Sequence, residues 1–154
     1  MNLRRKCNGA KHSTEATDVR YQGTGDRYQE KDMTQQASSF EDLDVFQRAY
    51  KVSLEIHHAS LTFPTVEQYG LGQQIRNASK STCANIAEGF GKRSYSKAEW
   101  IRYLKIAVGS SDEMRVWIRY CLDLGYVDER TWSDWSTEYK EIVRMLQGLI
   151  RSWS

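Results

Sequence analysis

Apolar and small residues recur at alternating spacings of four and three along residues 100–121, and this pattern constrains the fold more than any other feature. An α-helix turns once every 3.6 residues, so the alternation places these side chains on one face of a long helix. A helix with one apolar face has to bury it against other elements. The face consists of Trp100, Leu104, Ala107, Ser111, Met114, Ile118 and Cys121.

Start and end signals flank this segment. Ser96 is followed three positions later by Glu99, which is the spacing of a helix-starting capping box. Gly125 follows the segment, and glycine readily adopts the left-handed conformation that ends many helices. We therefore predict a helix that begins after Ser96 and ends at Gly125.

Three further segments show the same period. It predicts helices over residues 41–61, from 66 or 70 to 89, and over 131–152. Their apolar positions are Leu43, Phe46, Ala49, Tyr50, Val52, Ile56 and Ala59 in the first, Leu71, Ile75, Ala78, Thr82 and Ile86 in the second, and Trp135, Tyr139, Ile142, Leu146, Leu149 and Trp153 in the last.

Local signals support these three helices too. Ser39–Asp42 and Thr131–Asp134 have the capping-box spacing, and Gly89 or Gly91 can supply a left-handed residue that closes the second helix. Short connections place each helix beside its predecessor. We predict an all-α fold, an antiparallel up-down-up-down four-helix bundle over residues 39–154.

The N-terminal part of the chain has a different composition. Among residues 1–37, Leu3 and Val19 are the only Leu, Ile, Val or Phe. Such a segment buries too little apolar surface to offset the entropy of ordering. We predict that residues 1–38 form a disordered tail. An added extension, or an early start codon with Met33 as the alternative start, remains open.

The cysteines and the hydropathy indicate in which cellular compartment the protein lies. Cys7, Cys83 and Cys121 are far apart and form no Cys-x-x-Cys pair, so we interpret them as reduced packing residues. No apolar run approaches the roughly 20 residues that cross a bilayer, and no apolar segment of a signal peptide follows the N-terminal charges. We expect a cytoplasmic protein with no membrane partner.

The residue patterns offer no complete catalytic or metal site. His12 falls in the predicted tail, and His57 and His58 are adjacent on a helix, where they diverge by about 100°. Glu55 and His58 have the Glu-x-x-His spacing of di-iron bundles, but the chain has no second copy. The glycines of residues 89–94 follow a helix and lack the spacing of a phosphate-binding loop. We predict a non-enzymatic protein with no metal and no cofactor.

Positive charge is concentrated in the middle of the chain. Basic residues outnumber acidic ones nine to four between residues 76 and 119, and Phe90, Tyr95 and Trp100 lie among them. Lysine and arginine neutralise phosphates, and aromatic rings stack on unpaired bases. These residues predict binding of RNA or DNA at the hairpin end; the alternative is a solvated helix end. The candidate nucleic-acid-binding residues are Arg76, Lys80, Lys92, Arg93, Lys97, Arg102 and Lys105.

The third and fourth helices carry more apolar residues than one core face requires. A wide apolar arc indicates a second buried face, which favours self-association, with single exposed aromatics on a monomer as the alternative. A protein-binding scaffold or adaptor would use the same aromatics, among them Trp117. An acidic first and fourth helix opposite a basic second and third would favour head-to-tail rings. The additional residues are Ile101, Tyr103, Ile106, Trp117, Tyr120, Trp132, Val143, Met145 and Ile150.

Several motifs resemble the bacterial four-helix-bundle family named after proteins encoded in intervening sequences of large-subunit ribosomal RNA genes. The resemblance covers about residues 39–153. The motifs are Phe40-Glu-Asp-Leu43, Phe63-Pro64, Glu67-Gln-Tyr-Gly-Leu71, Gln74-Ile-Arg76, Ser81, Asn85-Ile-Ala-Glu-Gly89 and Gly109-Ser110-x-x-Glu113.

This resemblance implies a ring-like homopentamer of four-helix bundles with no known enzymatic activity. The family is also similar to accessory proteins of diversity-generating retroelements, which are basic pentameric bundles that bind nucleic acid and a reverse transcriptase. By analogy it implies nucleic acid, and a reverse transcriptase, as partners of this chain; the fold alone does not imply function.

The motif at residues 85–89 sits at the predicted end of the second helix. Asn85 and Glu88 are three positions apart and are therefore neighbours on a helix surface. Buried polar groups need partners. We expect Asn85 and Glu88 to bond to an adjoining helix or subunit and to set its register, while Gly89 allows a tight turn. With Trp117, these three residues are the candidate structural motif and subunit interface.

Overall fold

The computed structural model of the protein describes residues 36–154, and within that range it contains four long α-helices and no β-strand. Short 3-10 turns at Phe40–Asp42 and Thr65–Glu67 precede the first and second helices. The predicted all-α class with four helices is confirmed. The helices are α1, Asp44–Ser60; α2, Leu71–Lys92; α3, Lys97–Asp123; and α4, Glu129–Trp153.

The predicted N-terminal tail lies almost entirely outside the described residues, as do Cys7, His12 and Met33. Its last part is described and touches the bundle. Ala37 packs against the hydrophobic core. The backbone N–H of Ser38 donates to the Asp42 carboxylate at 3.0 Å. The contacts of the bundle therefore extend back to residue 37.

Each helix contacts its neighbours in the chain, and α1 also contacts α4, so the four helices surround one core. The contacts between α2 and α3 run in opposite order along the two helices. Ser81 of α2 bonds to Ser110 of α3 at 2.9 Å, while Glu88, later in α2, accepts a hydrogen bond from Tyr103, earlier in α3. Helices α2 and α3 are therefore antiparallel.

Helices α3 and α4 are antiparallel by the same criterion. Lys97, the first residue of α3, reaches the backbone oxygen of Ser154 at 3.4 Å. At the other end of α3, the Arg119 guanidinium lies 5.9 Å from the centre of the Trp132 ring, near the start of α4. The start of α3 therefore lies beside the end of α4, and the end of α3 lies beside the start of α4.

The core face predicted for the third helix is confirmed. All seven of its residues, from Trp100 to Cys121, have no exposed surface. Cys83 and Cys121 are free and buried, and burial raises the pKa of the Cys83 thiol to about 11 and that of Cys121 to about 12. Both remain protonated and pack as apolar side chains, as the sequence predicts.

Two predicted helix starts are wrong. The Ser39–Asp42 capping box is present but caps the 3-10 turn, and the extended backbone of Leu43 separates this turn from α1. The last helix begins at Glu129 because the Asp128 carboxylate accepts from the Thr131 N–H at 2.8 Å. Thr131 therefore lies inside the first turn and does not cap it.

The predicted end of α2 is also wrong, and the reason concerns Gly89. Helix α2 continues through Gly89 and Gly91 to Lys92, and among the described residues only Gly125 has a positive φ, 74°. Gly125 does end α3, as predicted. Ser96 does cap its start, because its hydroxyl accepts from the Glu99 N–H at 3.2 Å.

Gly89 allows two helices to pack closely. It is buried, and a Cβ added there would lie 2.6 Å from the Tyr103 Cβ and 2.8 Å from Cε3 of the Trp100 ring. Neither atom is the free end of a flexible side chain. Only a residue without a Cβ lets the α2 backbone approach α3 this closely.

We expect Gly89→Ala to lower the free energy of unfolding by about 1–3 kcal/mol, the usual cost of overpacking a filled core. Denaturant unfolding followed by circular dichroism measures this change. The matched control is Gly91→Ala, where an added Cβ meets no atom within 4 Å. This control should leave stability unchanged or raise it by up to about 1 kcal/mol. Equal effects of the two variants would contradict the close-packing role.

Candidate nucleic-acid interface

The seven predicted cations do not form one cluster. Arg76 and Lys80 lie in the first half of α2, whereas Lys92 is its last residue. A helix rises about 1.5 Å per residue, so Arg76 is roughly 24 Å from Lys92 along the helix axis. The structure therefore separates two of the predicted residues from the other five, which lie around the α2–α3 connection.

Arg76 bonds to the connection between α1 and α2. Its guanidinium donates to the backbone oxygen of Gln68 at 2.7 Å and to the Ser60 hydroxyl at 3.0 Å. The Gln68 amide in turn donates to the backbone oxygens of Ser60 and Phe63. Arg76 is thus part of a hydrogen-bond network that holds this loop against the bundle.

Arg93 has a comparable structural role at the other end of the bundle. Its guanidinium donates to the backbone oxygen of Ala37 at 2.8 Å and to that of Phe90 at 3.1 Å. It also lies 3.4 Å from the centre of the Phe90 ring. Partial burial lowers the pKa of Arg93. Arg93 therefore joins the segment before α1 to the end of α2.

Four of the five predicted cations around the α2–α3 connection remain on the surface, and we call this set the basic tip. Lys92 and Arg102 lie 5.0 Å and 4.7 Å from the centre of the Tyr103 ring. Cations near an aromatic ring are attracted to its π electrons. The basic tip consists of Lys92, Lys97, Arg102 and Lys105.

Carboxylates offset part of this charge. Glu88 lies 3.6 Å from Lys92, and Glu99 forms an ion pair with Arg102 at 3.0 Å. The hydrogen bond from Arg102 lowers the pKa of Glu99, so this pair is charged at neutral pH. Lys97 and Lys105 pair with no Asp or Glu side chain among the residues that the structure describes, although Lys97 reaches the Ser154 oxygen.

The aromatic residues available at the basic tip differ from those that the sequence indicates. Phe90 and Trp100 belong to the buried core, so they cannot stack on a base. Tyr95 is 74% exposed in the α2–α3 connection. Tyr103, which sequence reasoning assigned to the apolar arc, carries the two neighbouring cations. Tyr103 directly precedes the core residue Leu104, so it lies about 100° from the core seam, and that was the available signal.

The motif residues Asn85 and Glu88 have different partners. Glu88 accepts a hydrogen bond from the Tyr103 hydroxyl of α3, which confirms the predicted bond to an adjoining helix. The Asn85 amide instead donates to the backbone oxygen and hydroxyl of Ser81 within α2, at 2.8 and 3.1 Å. Within the subunit, Ser81 rather than Asn85 makes the contact with α3, and a bond from Asn85 to another subunit stays a prediction.

Trp117 is partly buried against the core, and its indole N–H donates to Glu113 at 3.0 Å. The expected acidic face on the first and fourth helices is absent. In α1, Asp44 and Glu55 are balanced by Arg48 and Lys51. In α4, the acidic residues are likewise matched by basic ones. A simple contrast between a basic and an acidic half therefore does not describe this surface.

No group of three or more His, Cys, Asp or Glu side chains in the described part of the chain is placed to hold a metal ion. None of the helices described here has the length and hydropathy needed to span a membrane.

Comparison with known proteins confirms the family resemblance. Residues 41–148 match the family model described as 23S rRNA-intervening sequence protein. A crystal structure of a protein with unknown function, from the S23 ribosomal protein family of Bacteroides thetaiotaomicron, matches with a TM-score of 0.63 and 20% identity. This match covers 70% of this chain and 95% of that chain, and at this identity it shows the fold alone. No curated protein matches the chain.

We expect Arg93→Ala to lower the thermal unfolding midpoint by roughly 4 °C or more, because its loss leaves the Ala37 oxygen without its partner and removes the cation from the Phe90 ring. Circular dichroism on heating measures the midpoint. The matched control is Lys97→Ala, which removes an exposed cation at the first position of α3, and its midpoint should stay within about 1 °C. A midpoint unchanged by Arg93→Ala would show that Arg93 is free for a ligand.

Proposed function

We propose that this chain, which belongs to the family of 23S rRNA-intervening sequence proteins, is a non-enzymatic homo-oligomer that binds single-stranded RNA or DNA. The observation that carries the proposal is the basic tip. There, Lys92 and Arg102 lie against the Tyr103 ring. Lys97 and Lys105 lie in the first three turns of the same helix and pair with no Asp or Glu side chain among the described residues. Arg76 and Arg93 are left out of the site because they bond within the chain.

The chemistry of the basic tip suits a flexible, unpaired strand. Lysine ammonium groups contact phosphates without regard to sequence, and an exposed ring such as Tyr95 stacks on any base. We therefore expect binding that depends strongly on salt and weakly on sequence.

Self-association would increase this binding. One subunit offers few phosphate contacts, but several tips in one particle act on the same strand at high effective concentration. The family resemblance favours a pentamer. A reverse transcriptase is a further candidate partner on the same ground, and it stays a prediction.

A protein-binding scaffold is the second candidate. The observation in its favour is the exposed apolar surface at the end of α3, which consists of Val116, Tyr120 and Leu124, the residue that follows the helix. A scaffold contact through these side chains would be mainly apolar and would weaken little as salt rises. The two functions therefore differ in the salt dependence of binding.

We expect the full chain to bind a fluorescein-labelled single-stranded RNA at low salt, with log affinity falling linearly as log salt rises. The double variant Lys97→Glu with Lys105→Glu should reduce the salt slope by at least about 1.4, because each phosphate contact on a single strand contributes about 0.7. Fluorescence anisotropy measures both quantities.

The control carries the same change in net charge on other faces of the bundle. Lys51→Glu with Lys140→Glu alters exposed residues of α1 and α4. This variant should keep most of the wild-type slope. Equal losses in the two double variants would assign the binding to overall charge, and no binding at low salt would refute the nucleic-acid function.

We expect light scattering of the full chain to give a particle of about five subunits of 17.9 kDa each. The physical reason is the exposed apolar surface of α3, which association would bury. A mass of one subunit at micromolar concentration would refute the homo-oligomer.

A further inference from the structure

Helix α3 has a second seam on the face opposite its core seam. Each member lies two positions after a core residue, which is about 200° around the helix. All five members are exposed; Ile106 is 39%, Val116 50% and Tyr120 53% exposed. We call this set the outer seam. It consists of Ile106, Gly109, Glu113, Val116 and Tyr120.

The outer seam has the shape of a helix-packing surface. Its spacings of three, four, three and four are those of the core seam, so its side chains form a straight line along α3. At its centre, Gly109 has no side chain, and a Cβ added there would meet no atom within 4 Å. Small residues at a seam let another backbone approach closely. Nothing in the described part of the chain covers this line.

A second apolar surface lies between α1 and α2. It is a groove with a volume of about 570 Å³. Tyr50 and Leu54 of α1 form one wall, and Ala84 and Ala87 of α2 provide small side chains on the other. Lys80 lies at its edge and has no carboxylate partner among the described residues. We call this surface the α1–α2 groove.

The two surfaces complement each other in charge. Glu113 of the outer seam accepts from the Trp117 indole but has no cationic partner among the residues described. Lys80 of the α1–α2 groove has the opposite sign and is likewise unpaired. Each surface thus carries one charge that the other could neutralise.

The two surfaces also lie at corresponding levels of the bundle. Thr82 and Ser111 bond across the α2–α3 contact at 3.3 Å. Lys80 precedes Thr82 by two residues in α2, and Glu113 follows Ser111 by two residues in α3. Because the two helices are antiparallel, both residues are displaced from the Thr82–Ser111 contact by about half a turn in the same direction along the bundle axis. A rotation about an axis parallel to the bundle would keep Lys80 of one copy level with Glu113 of the next.

We propose that the outer seam of one subunit packs into the α1–α2 groove of the next, with Glu113 paired to Lys80 across the contact. The two surfaces are different parts of the chain, so the contact is heterologous and repeats from copy to copy until a ring closes. This inference rests on the self-association in the proposed function and identifies the surfaces that perform it.

A charge exchange tests the pairing. Lys80→Glu and Glu113→Lys each place like charges across the contact, so each should reduce the mass from light scattering toward one subunit and weaken association at least tenfold. The double variant restores an opposite pair and should recover the wild-type mass. Lys140→Glu on α4 is the control for net charge and should have no effect.

A bulky side chain at Gly109 tests the outer seam and should leave the stability of the subunit intact. Gly109→Arg adds a long side chain in open space and replaces a helix glycine, so the subunit should fold at least as stably while association is lost. Gln147→Arg adds the same charge to the exposed surface of α4 and should stay assembled.

The outcomes separate the interface from the proposed function. A wild-type chain that is monomeric at micromolar concentration overturns the homo-oligomer of the proposed function and, with it, this interface. A wild-type oligomer whose mass survives Gly109→Arg and both single charge reversals overturns only the interface. If the double charge variant fails to assemble and Gly109→Arg is also a monomer, the outer seam lies in the contact, but the pairing of Lys80 with Glu113 is refuted.

Discussion

The close contact of α2 and α3 at Gly89 is the constraint on which the rest of the structure depends. The α2 backbone lies there against the Trp100 ring and the Tyr103 Cβ. Trp100 cannot move aside, because it is fully buried and its ring meets Phe90 and Trp153 edge to face. Protein interiors are close-packed, so a side chain at Gly89 would displace this whole group. The absence of one Cβ therefore sets the separation of the two helices.

Short hydroxyl side chains continue this contact along the helices. Ser81 bonds to Ser110, and Thr82 bonds to Ser111, whose hydroxyl also donates to its own helix. A shift in register would break both bonds between the helices, and Thr82 and Ser111 would keep only the bonds to their own helices. The register in turn places Tyr103 between the cations of the basic tip. Packing at the centre of the bundle thus determines the chemistry at its end.

The core of this fold could be predicted from the sequence, whereas the role of Gly89 could not. The core seam of α3 is visible because period alone decides which side chains share a face. A glycine near a helix end is compatible with two roles, a left-handed cap or a close approach of helices. Only the positions of Trp100 and Tyr103 on another helix decide between them. The outer seam has the same period, but Gly109 and Glu113 interrupt its apolar character and conceal it.

The candidate site could be predicted only in part, because a charge pattern does not reveal long-range partners. Arg93 bonds to Ala37, and Arg76 bonds to the loop at Gln68, so neither is free although both lie in the basic stretch. What remains for a phosphate at the basic tip is chiefly Lys105, together with Lys97, whose ammonium also reaches the Ser154 oxygen. Two such lysines give a single subunit little affinity for a polyanion at physiological salt. Nucleic-acid binding by this bundle would therefore require several copies acting together, which makes assembly a condition of the function rather than an addition to it.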